Sequence, residues 1–428
     1  MRRPHVLYIT PMFGYPPMGG PRLRTYHTLR ALAGCADVTL WLTQQPDVLD
    51  REATRAHLLT FCREAVFPPA PPRPSRLRRL VRSVLPPPLR KGLRALVPAR
   101  RAAPQTAPEP PTGLEELAAW IDQHQPDVIW LGFGGISYHL VPLKARTRKA
   151  LVLETECVWS RFILRELPFE SDPRRRERIL AEGRAKEREE REAAPLVDVT
   201  TACSEVDADY FRSLASPESV MLVNNVIDVD AYAGSNHPPA RLERPALLFS
   251  GTLSHGTGNV DAAIWLLDEI MPRVWRHRPD AHVYLVGRSP APEISSRRGP
   301  RVHVTGEVPS IVPYLRGSTA AIVPLRWESG TRFKILEAFA CGVPVISTTL
   351  GAEGLAVEHD RHLLLADTAD DFARAVLAVL DDDALGRRLA GPAFDLVRTE
   401  YDVSSAQRQI QAVLSRLGMP VAQDAVPA

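Results

Sequence analysis

The sequence predicts an α/β architecture: two Rossmann-like, doubly wound domains facing each other across a cleft. Three observations carry that prediction. The chain has 428 residues, more than one hydrophobic core usually covers. Strand-length apolar runs alternate with amphipathic helical stretches, and after a polar, Pro-containing segment at 235–245 the alternation starts afresh. Each series opens on an apolar run followed by glycines, which let backbone amides approach an anion at a helix N-terminus. The expected units are an N-terminal domain over 1–234, a linker over 235–245 and a second domain over 246–402.

The first series reads as strand Val6–Ile9, helix Arg22–Ala33, strand Val38–Thr43, helix Arg51–Phe61 and strand Ala65–Phe67. It resumes with helix Leu114–His124 and strands Val128–Leu131, Leu151–Leu153, Val199–Ala202 and Val220–Val223. Arg174–Glu192 mixes both charge signs and reads as an exposed helix with i,i+4 pairs. The second series reads as strand Ala246–Ser250, helix Asp261–Arg276, strands His282–Val286 and Val302–Thr305, helix Ser310–Arg316 and strand Ala320–Pro324. Helix Thr331–Cys341, strands Val345–Thr348 and Leu363–Leu365, and helix Thr368–Asp381 complete it. Ligands of such sheets sit at the carboxyl ends of the strands, so two facing sheets make the cleft between them the default site.

Composition narrows the function classes. Hydrophobic residues at 45% and charged residues at 24% fit a globular protein, and Lys+Arg 53 against Asp+Glu 50 is too balanced to argue for nucleic-acid binding. The five cysteines are spread without CxxC or CxxH spacing, which signals neither a disulfide framework nor a zinc site and points to a reducing cytoplasm. His359 and His362 read as surface residues rather than ligands. No apolar run is long enough to span a bilayer. Residues 68–111 interrupt the first series. They hold ten basic residues between Arg73 and Arg101, and apolar residues recur there at helical spacing opposite the arginines. Three readings stay open for that insertion: a solvated face, a peripheral contact with the anionic inner face of a membrane, or a cover over the cleft.

The chemistry is concentrated in Pro324–Pro344. A strand ends at Pro324, a Ser329-Gly330-Thr331 turn follows, and a helix begins with Arg332 and Lys334 in its predicted first turn. Cations are disfavoured at a helix N-terminus, so two of them there point to an anion between them and the amides; a diphosphate fits. Glu337, deeper in the helix among Ile335, Leu336, Ala338 and Phe339, suits two vicinal ribose hydroxyls.

With Gly351-Ala352-Glu353-Gly354 after the next strand, this segment resembles the donor-binding signature of glycosyltransferase family 4, the retaining sugar transferases of the GT-B fold. Phe249-Ser250-Gly251-Thr252 is similar to the family's opening of the second domain, Asn225-Val226-Ile227-Asp228 stands before the linker, and Pro11–Gly20 stands at the N-terminal glycine loop. The resemblance implies a hexosyl donor linked to UDP or GDP and bound by Gly251, Thr252, Gly287, Val308, Ser329, Gly330, Thr331 and Glu337. It further implies Arg332, Lys334 and Glu328 as catalytic groups, and Gly19, Gly20, Arg24 and Glu156 toward an unidentified acceptor or its phosphate. It also implies a helix at Ser404–Leu417, within 403–428, that returns to the first domain. Two departures stand out: Ser329 occupies the place of the family's first paired acid, with Glu328 one residue early, and Thr252 and His255 stand where many members carry Arg and Lys. The expected reaction is sugar transfer with retention, with no cofactor and no metal, the side-chain cations neutralising the leaving diphosphate. A sugar-nucleotide epimerase and a non-catalytic partner subunit are the alternatives.

Overall fold

The computed structural model describes residues 2–69, 113–234 and 237–420; the basic insertion read at 73–101 and the tail from 421 lie outside it. The first sheet contains β1 (His5–Thr10), β3 (Asp37–Leu42), β5 (Glu64–Val66), β6 (Val128–Leu131), β7 (Ala150–Glu154), β8 (Val199–Ala202) and β9 (Val220–Leu222), in the order β5-β3-β1-β6-β7-β8-β9. The second contains β10 (Ala246–Ser250), β11 (His282–Val286), β12 (Val302–Gly306), β13 (Ala320–Val323), β14 (Val345–Ser347) and β15 (Leu364–Leu365), in the order β12-β11-β10-β13-β14-β15. Every pairing in both sheets is parallel. β2 (Gly14–Tyr15) and β4 (Asp47–Val48) form a separate two-residue pair that no periodicity announced.

Why these runs form parallel strands is visible in β1. All six of its residues are buried, with Val6 and Tyr8 in one core and Leu7 and Ile9 in the other. A strand apolar on both faces needs helices on both faces, which is the doubly wound arrangement. In each sheet the strand order reverses beside the first strand, at β1 and at β10, which places the switch-point crevices on the loops after Thr10 and Ser250.

Some boundaries move for physical reasons. The helix predicted at Asp261–Arg276 starts at Gly258 and passes through a π turn at Leu266–Ile270; Pro272, next in line, lacks the N–H that an unbroken α-helix needs. The charged helix is Pro173–Ala193, and it is not exposed throughout. Its Glu190 is buried, accepting from Ser160 N at 3.0 Å and Tyr210 OH at 2.6 Å. His362 is likewise 5% exposed rather than on the surface, its Nδ1 accepting from Glu358 N.

The two sheets are joined by more than the linker. Leu23, on the helix Gly20–Cys35, packs into the core of the second sheet. The last helix, Val403–Arg416, puts Ala406, Ile410, Val413 and Leu414 into a core of the first sheet. Ile227 N donates to Tyr401 O at 2.9 Å, so the chain's outward and return crossings lie side by side. Among the described residues no helix is long and apolar enough to cross a membrane.

Candidate active site

The loops at the carboxyl ends of β1, β10, β11 and β13 enclose a cleft of about 830 Å³ lined from both sheets. The first half contributes Gly19 and Gly20 at the start of their helix, with Tyr26, His27 and Arg30 along it. From the second come Gly251, Thr252, Asn259, Gly287, Arg288, Val308, Glu328, Ser329, Thr331, Arg332, Lys334 and Glu337. The sequence-predicted donor residues therefore converge, with Gly330 in the wall just behind them.

The turn after β13 is held by its own arginine. Gly330 takes φ +75°, a conformation glycine adopts without penalty, and a Cβ there would meet Glu156 O of the first half at 2.6 Å. Arg332 is not in the first helical turn: the helix is Phe333–Ala340, and Arg332 is its N-cap with extended backbone. Its guanidinium is 5% exposed and turns back to the carbonyls of Ser329, at 2.8 Å, and Gly330. Arg332 thus shapes the turn. Its Nε, like Ser329 Oγ, is buried without a partner among the described residues, an unmet polar pair at the cleft wall.

Lys334 is the first-turn cation. Its Nζ donates to Asn259 Oδ1 at 2.6 Å and lies 4.4 Å from the centre of the Phe249 ring. Burial, reinforced by Arg332, pulls the ammonium down to about 7, against the opposing pull of Glu328. Burial also raises Glu328, which Arg332 and Lys334 oppose. Glu337 accepts from Tyr232 OH at 2.9 Å and is pushed up to about 7 by burial. Three ionisable groups therefore sit half-shielded around one crevice, the environment expected where charge arrives with a ligand.

Sequence reasoning passed over Arg288. It stands two residues after β11, beyond Gly287, its Nε donates to Thr252 Oγ1 at 3.3 Å, and it lines the cleft. The signal was its place at the carboxyl end of a parallel strand. His255, by contrast, is exposed and lies 3.3 Å from Glu293, and Arg326 is committed to Asp261.

Two acceptor-side expectations need correction. Arg24 does not reach the cleft. It is 2% exposed, its Nε donates to Glu154 Oε1 at 2.7 Å, and its Nη1 donates to Val223 O at 2.6 Å and Asn225 Oδ1 at 3.1 Å. On a helix facing the sheet, the position's inward direction decides its role. Glu156 lies beneath the Gly330 turn, accepting from Trp159 Nε1, outside the cleft lining; burial raises it to about 7. Asn225 spans the two halves, its Nδ2 donating to Thr331 Oγ1 at 2.6 Å.

Gly287 allows the closest approach in the site. A Cβ there would lie 1.7 Å from Gly251 O, so Gly287→Ala forces the loops after β10 and β11 apart. The expected result is a loss of about 1–3 kcal/mol in thermal or denaturant unfolding, and a titration that finds nucleotide affinity weakened.

Residues 244–382 match the family model described as Glycosyl transferases group 1. The lipopolysaccharide core biosynthesis mannosyltransferase LpsB of Rhizobium meliloti is 30% identical over 157 residues, covering 33% of this chain and 44% of that protein. The chain spans 42% and 44% of the lengths of two curated relatives it matches. Solved structures align over nearly the whole chain. HepE from Anabaena, in complex with UDP, gives a TM-score of 0.63 at 16% identity over 97% of this chain and 100% of its own. Sucrose-phosphate synthase from Thermosynechococcus elongatus gives 0.63 at 17% identity over 97% and 99%. The chain therefore has the GT-B fold, and its second half is the part similar to the group 1 glycosyl transferases.

Proposed function

We propose that the protein transfers a hexosyl group from a nucleoside-diphosphate sugar to an acceptor hydroxyl with retention of anomeric configuration. The observation that carries the reading is the crevice around Lys334: a first-turn ammonium, Arg288 on the loop after β11, the backbone amides at the start of Phe333–Ala340, and a carboxyl at Glu337. Lys334 and Arg288 stabilise the departing diphosphate together with the helix amides, while Glu337 receives the ribose hydroxyls. As the bond between the anomeric carbon and the phosphate oxygen breaks, the acceptor oxygen bonds to that carbon from the same face. Its proton passes to the departing phosphate oxygen. The charge stabilisation rests on side chains, so transfer is expected to continue in a chelator. A uridine donor is supported by the UDP complex of HepE, and a hexosyl group by the name of LpsB.

The test is calorimetric titration with UDP and GDP across pH 6 to 9, in buffers of differing ionisation enthalpy. Lys334 has a folded value near 7, so the free protein is largely unprotonated there above neutrality, and an arriving diphosphate restores the proton. For Lys334 the bound state then holds more protons than the free one, and its share of the affinity falls as pH rises above about 7; Glu337, also near 7 before binding, acts in the opposite sense as it ionises to accept hydroxyls, so the fall is read in Glu337→Gln, where only the Lys334 share remains. An affinity independent of pH in Glu337→Gln, or a nucleotide affinity unchanged by that substitution, contradicts the assignment. Anomeric analysis of the product by NMR separates retention from inversion.

A further inference from the structure

The end of the second sheet remote from the cleft carries a separate constellation. His282 is the first residue of β11 and His303 the second of β12, where the two strands run side by side. His282 Nδ1 lies 3.1 Å from His303 Nε2, and His282 Nε2 lies 3.5 Å from Glu243 Oε2 on the segment leading into β10. One ligand atom from each of the three residues falls within 4.8 Å of the others. The catalytic crevice is at the opposite ends of these strands, about 13 Å away for a five-residue strand.

We propose that Glu243, His282 and His303 form a site for a divalent transition-metal ion, zinc in the first instance, that fastens the interdomain segment to the second sheet. Two imidazoles and one carboxylate are a donor set for such ions, which hold nitrogen and oxygen at about 2.0–2.2 Å; tetrahedral ligand atoms then stand about 3.3 Å apart. With one donor atom taken from each residue, the three lie within 4.8 Å of one another, so a turn of the exposed Glu243 side chain and a small rotation of the rings close them onto one ion. The rings are also held in place. Tyr284 stacks on His303 with centroids 4.3 Å apart, and its hydroxyl accepts from Glu243 N at 2.8 Å, so one side chain orients two of the three ligands. Glu243, exposed at 67%, is free to swing its carboxylate onto an ion lodged against the two rings, and a water completes the sphere. None of the three residues lines the cleft.

The experiment is titration of the untagged, chelator-stripped full chain with zinc chloride alone, followed by calorimetry and, with Co²⁺, by visible absorption. One ion per chain is expected, with the intense bands of a low-coordinate Co²⁺. Glu243→Gln, which touches only an exposed side chain, and His303→Asn each weaken binding by about tenfold or more. At one zinc concentration, the melting temperature rises more in the natural chain than in either variant. UDP affinity stays the same throughout, which separates this site from the sugar-transfer reading. Absence of stoichiometric zinc binding in the natural chain, or binding of equal strength in both variants, overturns the proposal.

Discussion

Lys334→Ala is expected to lower turnover of a nucleotide sugar by about 10²–10³-fold, the range lost when one preorganised donor to a developing anion is removed. The ammonium stands in the first turn of Phe333–Ala340, an unfavourable position for a cation until an anion arrives, and burial has already drawn its proton affinity down toward neutrality. The protein therefore carries an electrostatic cost in the empty state that a departing diphosphate relieves. Removing the charge relieves the same cost, so the variant should melt at or slightly above the natural temperature while turnover collapses. Lys334→Arg does not rescue, because a forked guanidinium does not fit the point contact with Asn259 Oδ1 at 2.6 Å. Steady-state kinetics alongside thermal unfolding check both halves; unaltered kcat in Lys334→Ala removes the leaving-group role.

Glu154→Gln should produce the largest loss of stability. Glu154 is 1% exposed and accepts from Arg24 Nε at 2.7 Å, Thr28 Oγ1 at 3.0 Å and Trp130 Nε1 at 2.8 Å. A neutral amide leaves the Arg24 guanidinium buried without its counter-charge and turns one acceptor into a donor facing donors. Breaking such a pair costs about 3–5 kcal/mol, which for a domain of this size lowers the melting temperature by roughly 10 °C. The double variant Arg24→Met, Glu154→Leu should recover most of that loss, since apolar groups of similar volume tolerate the site. It should not recover catalysis. Arg24 also holds Asn225, and Asn225 holds Thr331 on the turn after β13, so removing the brace loosens that turn. Melting curves and kcat measured on the same three proteins distinguish the two contributions.

The strands and main helices were legible because their signal is local: a parallel strand covered on both faces writes itself as an unbroken apolar run, as in Val128–Leu131 and His282–Val286. The turn after β13 was legible because Ser329-Gly330-Thr331 between a strand and a helix is also local. What escaped depends on direction rather than order. Arg24 and Arg22 are two residues apart on one helix, yet Arg24 points at Glu154, 130 positions away, while Arg22 pairs with Asp47. Nothing in the spacing distinguishes them. The arginine at 332 illustrates the same limit: its type marked the turn, but whether its guanidinium faced a ligand or its own carbonyls was decided by the left-handed Gly330. Arg288 went unremarked because a lone cation after a strand has no pattern around it.

The paired passages at Ile227 and Tyr401 carry a mechanical implication. Two rigid bodies joined by one tether can swivel in any direction, but two tethers fastened side by side behave like the leaves of a door on a common pin. Movement of one lobe against the other is therefore expected to be a rotation at residues 227 and 401 rather than a slide.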